Sequence, residues 1–232
     1  MRPRSSVSAV GEHTVERVPQ EARPRLRGWL HLGAAPLATI LGLLAIAIAP
    51  TVASRWAFAI YTATTVLLFT VSAAYHRRVG GDPWEGALSR FDHSSIYLFI
   101  AGSYTPFVVL LLEPGQARVL LGIVWIVAIL GVGFRVFWFN APRWLYVSTY
   151  IALGWVAVAY LPALWRAGGP VVVTLIIAGG LLYTVGAAVY AFRRPDPSPI
   201  WFGFHEIFHA LTIAAYLTQY VALVWTAITV SP

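Results

Sequence analysis

Residues 205–209 read HEIFH, which fits the H-E-x-x-H pattern in which two histidines one helical turn apart hold a zinc ion and the glutamate activates water. Imidazoles at i and i+4 lie about 5–6 Å apart on one helix face, so His205 and His209 can share a metal. His76, in the run SAAYH, offers a third nitrogen, and Ser72 shares its helix face by the same spacing. Zinc suits such a set, because a catalytic zinc site keeps three protein ligands and one open position. The protease reading fails on the ligand count. Between Ala210 and Pro232 there is no His, Asp, Glu or Cys to complete the site as the metzincin extension requires. An intramembrane protease also needs a second acidic motif within a span, and Asp196 sits in a proline-rich connection.

Asp92 and His93 open the apolar run FDHSSIYLFIAGSYTP. A lone helix serine usually bonds back to the preceding turn and a lone aspartate usually caps a helix, so Ser72 and Asp92 acquire chemistry only through the histidines near them. His31 and His93 read as packing histidines. With no cysteine in the chain, any metal must be held by His, Asp, Glu or water.

The elements that position these groups are membrane helices. Of 232 residues, 59% are hydrophobic and only 11% charged, and the mean hydropathy is +0.72, far too apolar for a soluble domain. Seven stretches are long enough to cross a bilayer core, which needs about 20 apolar residues: 29–49, 53–75, 94–112, 119–139, 144–165, 171–192 and 201–230. Pro and Gly clusters separate them, as at Gly168, Gly169 and Pro170. The first 28 residues are polar and arginine-rich, with no apolar core, and read as a disordered basic tail rather than a cleaved signal peptide; residues 29–232 form the membrane domain.

The net charge of +7 is a statement about orientation before it is one about nucleic acid. Numbering the connections alternately, thirteen arginines fall on the side of the N-terminal tail and three, Arg55, Arg118 and Arg166, on the other. The positive-inside rule then puts the N-terminus in the cytoplasm and the C-terminus outside. The expected fold is an all-α membrane protein of seven transmembrane helices, with Ser72, His76, Asp92, His205 and His209 all toward the cytoplasmic face.

Taken together, SAAYH, DHSSIYLFIAGSYTPF and HEIFH resemble the progestin and adiponectin receptor family in its bacterial hemolysin III branch, over about residues 26–230. The resemblance implies a seven-helix fold with a zinc ion buried near the cytoplasmic side, held by His76, His205 and His209. It places the family's aspartate beside the zinc site at Asp92 and its motif serine at Ser72. Family members carry glutamine in place of the middle glutamate, which implies that Glu206 is not a base and that the protease match is coincidental.

Several animal members look like ceramidases, so the resemblance implies a zinc-dependent hydrolase of a membrane lipid amide. Asp92 would serve as general base, and Ser72 would hydrogen-bond the developing oxyanion or orient His76. Two other readings stand beside it. In one, the zinc is structural, ties helices 2 and 7 together in a membrane sensor, and takes Asp92 as a fourth ligand. In the other, the chain is a cytolysin, as the branch name suggests. The partner in the first two readings is a membrane lipid, as substrate or ligand.

Overall fold

A computed structural model describes residues 24–77 and 84–230, which are helical, with no β-strand among them. In chain order the helices are α1 (Trp29–Ile48), α2 (Val52–Arg77), α3 (Glu85–Leu111), α4 (Pro114–Phe137), α5 (Arg143–Gly154), α6 (Leu161–Phe192) and α7 (Phe204–Thr229). A 3-10 segment, Trp155–Tyr160, joins α5 to α6. Beside a buried apolar core, polar side chains turn inward and many apolar ones outward: Ile40, Leu43, Ile129 and Leu130 are more than half exposed, whereas Ser72, His76, Asp92 and His209 are buried. That is the pattern of helices dissolved in lipid, where apolar surface costs nothing and polar groups must find partners inside.

Six helical stretches are long and apolar enough to cross a membrane. Two of the spans expected from sequence are one continuous stretch here, Arg143–Phe192, of 50 residues. A straight helix of that length would measure about 75 Å, more than twice the roughly 30 Å core of a bilayer. It is not straight. Gly169 has φ 73° and ψ −177°, a conformation open to glycine, and Pro170 follows. Trp155 Nε1 donates to Thr184 Oγ1 at 2.9 Å, and Arg143 Nη1 donates to the Tyr190 carbonyl at 3.1 Å. These pairs flank Gly169, so the chain doubles back there into a hairpin.

Helix α3 is the central element, in contact with α2, α4, α5, α6 and α7, while α1 against α7 closes the bundle. Glycine allows the closest approach: a Cβ at Gly102 would collide with the Thr64 side chain, so α2 and α3 can meet only because that residue is absent of side chain. α3 begins at Glu85, well before the apolar run that opens near residue 94. Asp92 therefore lies two turns inside the helix and is not its N-cap.

The basic tail was expected to run to residue 28. Residues 1–23 lie outside the described residues, but Pro24–Gly28 are in place: Arg25 N donates to the Ile200 carbonyl at 2.8 Å and Leu26 N to that of Trp201 at 3.3 Å. Gly28 then turns the chain into α1 with φ 80°. A Cβ there would lie 3.0 Å from that of His76 and 2.9 Å from Arg77 Cγ. Glycine at this point lets the start of α1 sit directly on the end of α2, where His76 is.

Candidate metal centre

His76 lies in the last turn of α2, and His205 and His209 lie in the first two turns of α7. Their ring centroids form a nearly equilateral triangle: 4.5 Å from His76 to His205, 5.1 Å from His76 to His209 and 4.6 Å from His205 to His209. One potential ligand atom from each lies within 4.8 Å of the other two. His76 Nε2 and His205 Nε2 are 3.1 Å apart. Tetrahedral zinc with nitrogens at about 2.0–2.1 Å requires separations of about 3.3 Å between ligand atoms. The His76–His205 pair is close to that and the whole set stays within 4.8 Å, so the residues present fit the ion after small adjustments.

Asp92, from α3, brings Oδ2 to 3.6 Å from His76 Nε2, and its carboxylate is within hydrogen-bonding reach of the Ser72 hydroxyl. Ser72 thus does more than bond back along its own helix. The five residues singled out from sequence meet at one place, brought there from α2, α3 and α7.

Glu206 is different. Its Oε1 accepts from Arg27 Nε at 2.7 Å and its Oε2 from the Gly203 backbone N–H at 2.9 Å. The second bond satisfies one of the unpaired donors at the start of α7, as Asp196 does by accepting from Phe204 N at 3.0 Å. Successive helix residues are turned by about 100°, so Glu206 leaves the axis away from the face that carries both histidines.

His93 bears out its reading as a packing residue, with Nδ1 2.7 Å from the Ser89 carbonyl and Nε2 3.3 Å from the Tyr190 hydroxyl. His31 does not. Its ring is stacked on His209 with centroids 3.8 Å apart and planes 2° from parallel, and neither of its nitrogens has a hydrogen-bond partner among the described residues. Nothing in the spacing of the sequence joins position 31 to position 209; only the packing of α1 on α7 does.

A cavity of about 130 Å³ opens from the site into the bundle. Ser72, Asp92, His205 and His209 line one end, and Gln219 lines it deeper along α7. His205 and Gln219 are separated by about 21 Å of helix rise. Between them the wall is mostly apolar, with Leu68, Ile96, Phe99 and Ile151 among its residues.

The fold and site define a multi-pass helical membrane protein with a buried cluster of three histidines able to hold a metal ion. A sequence model of the haemolysin-III related family matches residues 20–220, and the chain belongs to that family. It is 34% identical over 148 residues to Hemolysin-3 of Bacillus cereus, covering 62% of this chain and 66% of that protein. It is 32% identical over 157 residues to the Hemolysin-3 homolog of Bacillus subtilis strain 168, covering 65% of this chain and 72% of that one. The chain is thus a bacterial multi-pass membrane protein, aligned with about two thirds of the length of the Bacillus cereus relative.

Proposed function

We propose that this protein is a zinc-dependent hydrolase of a membrane lipid amide, with seven spans, a cytoplasmic N-terminus and its site near the cytoplasmic face. The seventh span comes from the hairpin at Gly169, each limb of which is long enough to cross the bilayer by itself. The observation that carries the reading is the convergence of three imidazoles and the Asp92 carboxylate at one end of an apolar cavity.

His76, His205 and His209 would hold the ion. When bound, zinc supplies Lewis acidity, polarising a carbonyl and making water acidic enough to attack near neutral pH. The rest is the work of the chain. Asp92, buried and held by Ser72, accepts the proton of the attacking water and returns it to the leaving amine. Ser72 donates a hydrogen bond from its hydroxyl to that carboxylate and keeps it directed at the site. The apolar wall from Leu68 to Gln219 takes an acyl chain and excludes bulk water from the reacting carbonyl.

A second reading has a specific distance in its favour. At 3.6 Å from His76 Nε2, Asp92 Oδ2 is close enough to be a fourth ligand, which would close the site and make the metal structural, as in a non-enzymatic sensor. The test is to purify the chain, measure its metal, and assay release of fatty acid from a panel of ceramides before and after chelation. Release that is lost with the metal and restored by zinc is expected. Firmly bound zinc with no release from any lipid amide would promote the structural reading.

A further inference from the structure

Arg90 on α3, Arg135 on α4 and Arg143 on α5 lie around one group of aromatic rings, Phe139, Tyr146 and Tyr190. Arg135 lies in the last turn of α4 and is only 2% exposed. Its Nη1 donates to the Phe139 carbonyl at 3.2 Å, its guanidinium stands 4.3 Å from the Tyr146 ring centroid, and its Nε has no hydrogen-bond partner among the described residues. Arg90, on α3, approaches the Phe139 ring at 5.4 Å, and Arg135 approaches the same ring at 5.6 Å. Arg143, at the start of α5, lies over Tyr190 at 4.7 Å. Ion pairs among the described residues join Arg27 to Glu206 and His76 to Asp92; none joins a carboxylate to these three arginines.

Part of this arrangement explains itself. A cation in the last turn of a helix is favoured by the helix dipole, and aromatic faces attract guanidinium groups. These effects do not replace the hydration that Arg135 gives up on burial, nor do they use its remaining donors, since a guanidinium carries five N–H groups and only one is seen to donate. Neighbouring positive charges raise the cost further. A buried charge in a membrane protein persists where it has a partner, and the partner that matches guanidiniums gathered around one group of rings is an oxyanion.

We propose that Arg135, with Arg90 and Arg143, binds a phosphate group, carried by an anionic phospholipid of the adjoining leaflet or free in solution. None of these arginines is among the residues that would hold the metal. Tyr146 links the two regions, because its hydroxyl is 3.2 Å from that of Tyr190, which in turn meets His93 at the cavity wall.

The full chain in neutral detergent is titrated with phosphatidylglycerol, with diacylglycerol of the same chains, and with inorganic phosphate, and binding is read by native mass spectrometry and by thermal midpoint. Phosphatidylglycerol is expected to bind and to raise the midpoint, diacylglycerol to do neither, and Arg135→Gln to weaken phosphatidylglycerol at least about tenfold. The double variant Arg90→Gln/Arg143→Gln leaves the buried residue in place and is expected to weaken it as well, which keeps the test decisive should Arg135→Gln fail to fold. Protection by inorganic phosphate alone would support the site and make its occupant a soluble anion; protection by the lipid alone would make it a head group. Equal binding of diacylglycerol, or unchanged affinity in the double variant, would overturn the proposal.

Discussion

Arg27 and Glu206 are joined across the bundle by a 2.7 Å ion pair that ties the segment before α1 to the first turn of α7. Glu206 is the middle residue of the H-E-x-x-H run, yet both of its oxygens are engaged away from the histidines, one by Arg27 and one by the Gly203 N–H. Its role is to fix the start of α7, and with it the direction of His205 and His209.

Substitution of Glu206 should therefore be felt in stability and not in metal content. Glu206→Gln retains an acceptor and a similar shape, so zinc stoichiometry should be unchanged and the thermal midpoint slightly lower. Glu206→Ala leaves Arg27 unpaired and the Gly203 N–H unsatisfied, and should cost about 2 kcal/mol, the order for a lost hydrogen bond to a charged group. Metal analysis and thermal melts of the two variants measure this. Loss of turnover in Glu206→Gln with zinc and stability intact would return the glutamate to the role of base.

Each of the three histidines should be necessary for the metal. Replacing His76, His205 or His209 with Ala leaves two nitrogens, and metal affinity depends on completing the set. Zinc analysis of detergent-purified variants should find the ion absent from all three. Full occupancy in any one would remove that residue from the site.

His31 should act through His209. A flat stack at 3.8 Å sets the plane of the His209 ring, and groups that orient a ligand typically change metal affinity by about 10- to 100-fold when removed. His31→Ala should weaken zinc within that range without abolishing binding, and His31→Phe, which keeps a ring on the stack, should recover most of it. Competition with a graded chelator gives the affinities. An unchanged affinity in His31→Ala would reduce the stack to packing.

The histidine triangle was legible in the sequence for a physical reason. Polar side chains are sparse in a chain this apolar, and the i,i+4 spacing of His205 and His209 already puts two of them on one face. Its surroundings were not. The stack of His31 and the pairing of Arg27 with Glu206 join residues far apart in the chain, and depend on α1 lying against α7. Hydropathy marks only the part of a helix that resembles lipid, so it missed the turns from Glu85 that put Asp92 inside α3. Gly168, Gly169 and Pro170 were visible as a break, and the chain leaves helical geometry there, at Gly169.

The membrane orientation makes a prediction of its own. If the thirteen-to-three division of arginines sets the orientation by the positive-inside rule, a reporter fused after Pro232 should be active only where it works outside the cytoplasm. Cytoplasmic activity at that point would mean an even number of crossings, and would require the Arg143–Phe192 hairpin to enter and leave from the same side.

Asp92 separates chemistry from architecture. In one reading it is a general base beside a three-histidine site; in the other it is the fourth ligand of a closed one, and its 3.6 Å distance from His76 Nε2 suits both. Asp92→Asn keeps the size of the side chain and an oxygen that can accept from Ser72, but it cannot take up a proton near neutral pH. If the residue is a base, zinc and thermal midpoint should hold while fatty-acid release falls at least about a hundredfold, the lower end for a lost general base. If it is a ligand, a neutral amide oxygen is a poorer donor to zinc than a carboxylate, and metal affinity and midpoint should fall together. Zinc stoichiometry, melting and lipid-amide hydrolysis measured on the same purified variant distinguish the two. A variant that loses its metal, set beside a parent that hydrolyses nothing, would end the hydrolase reading.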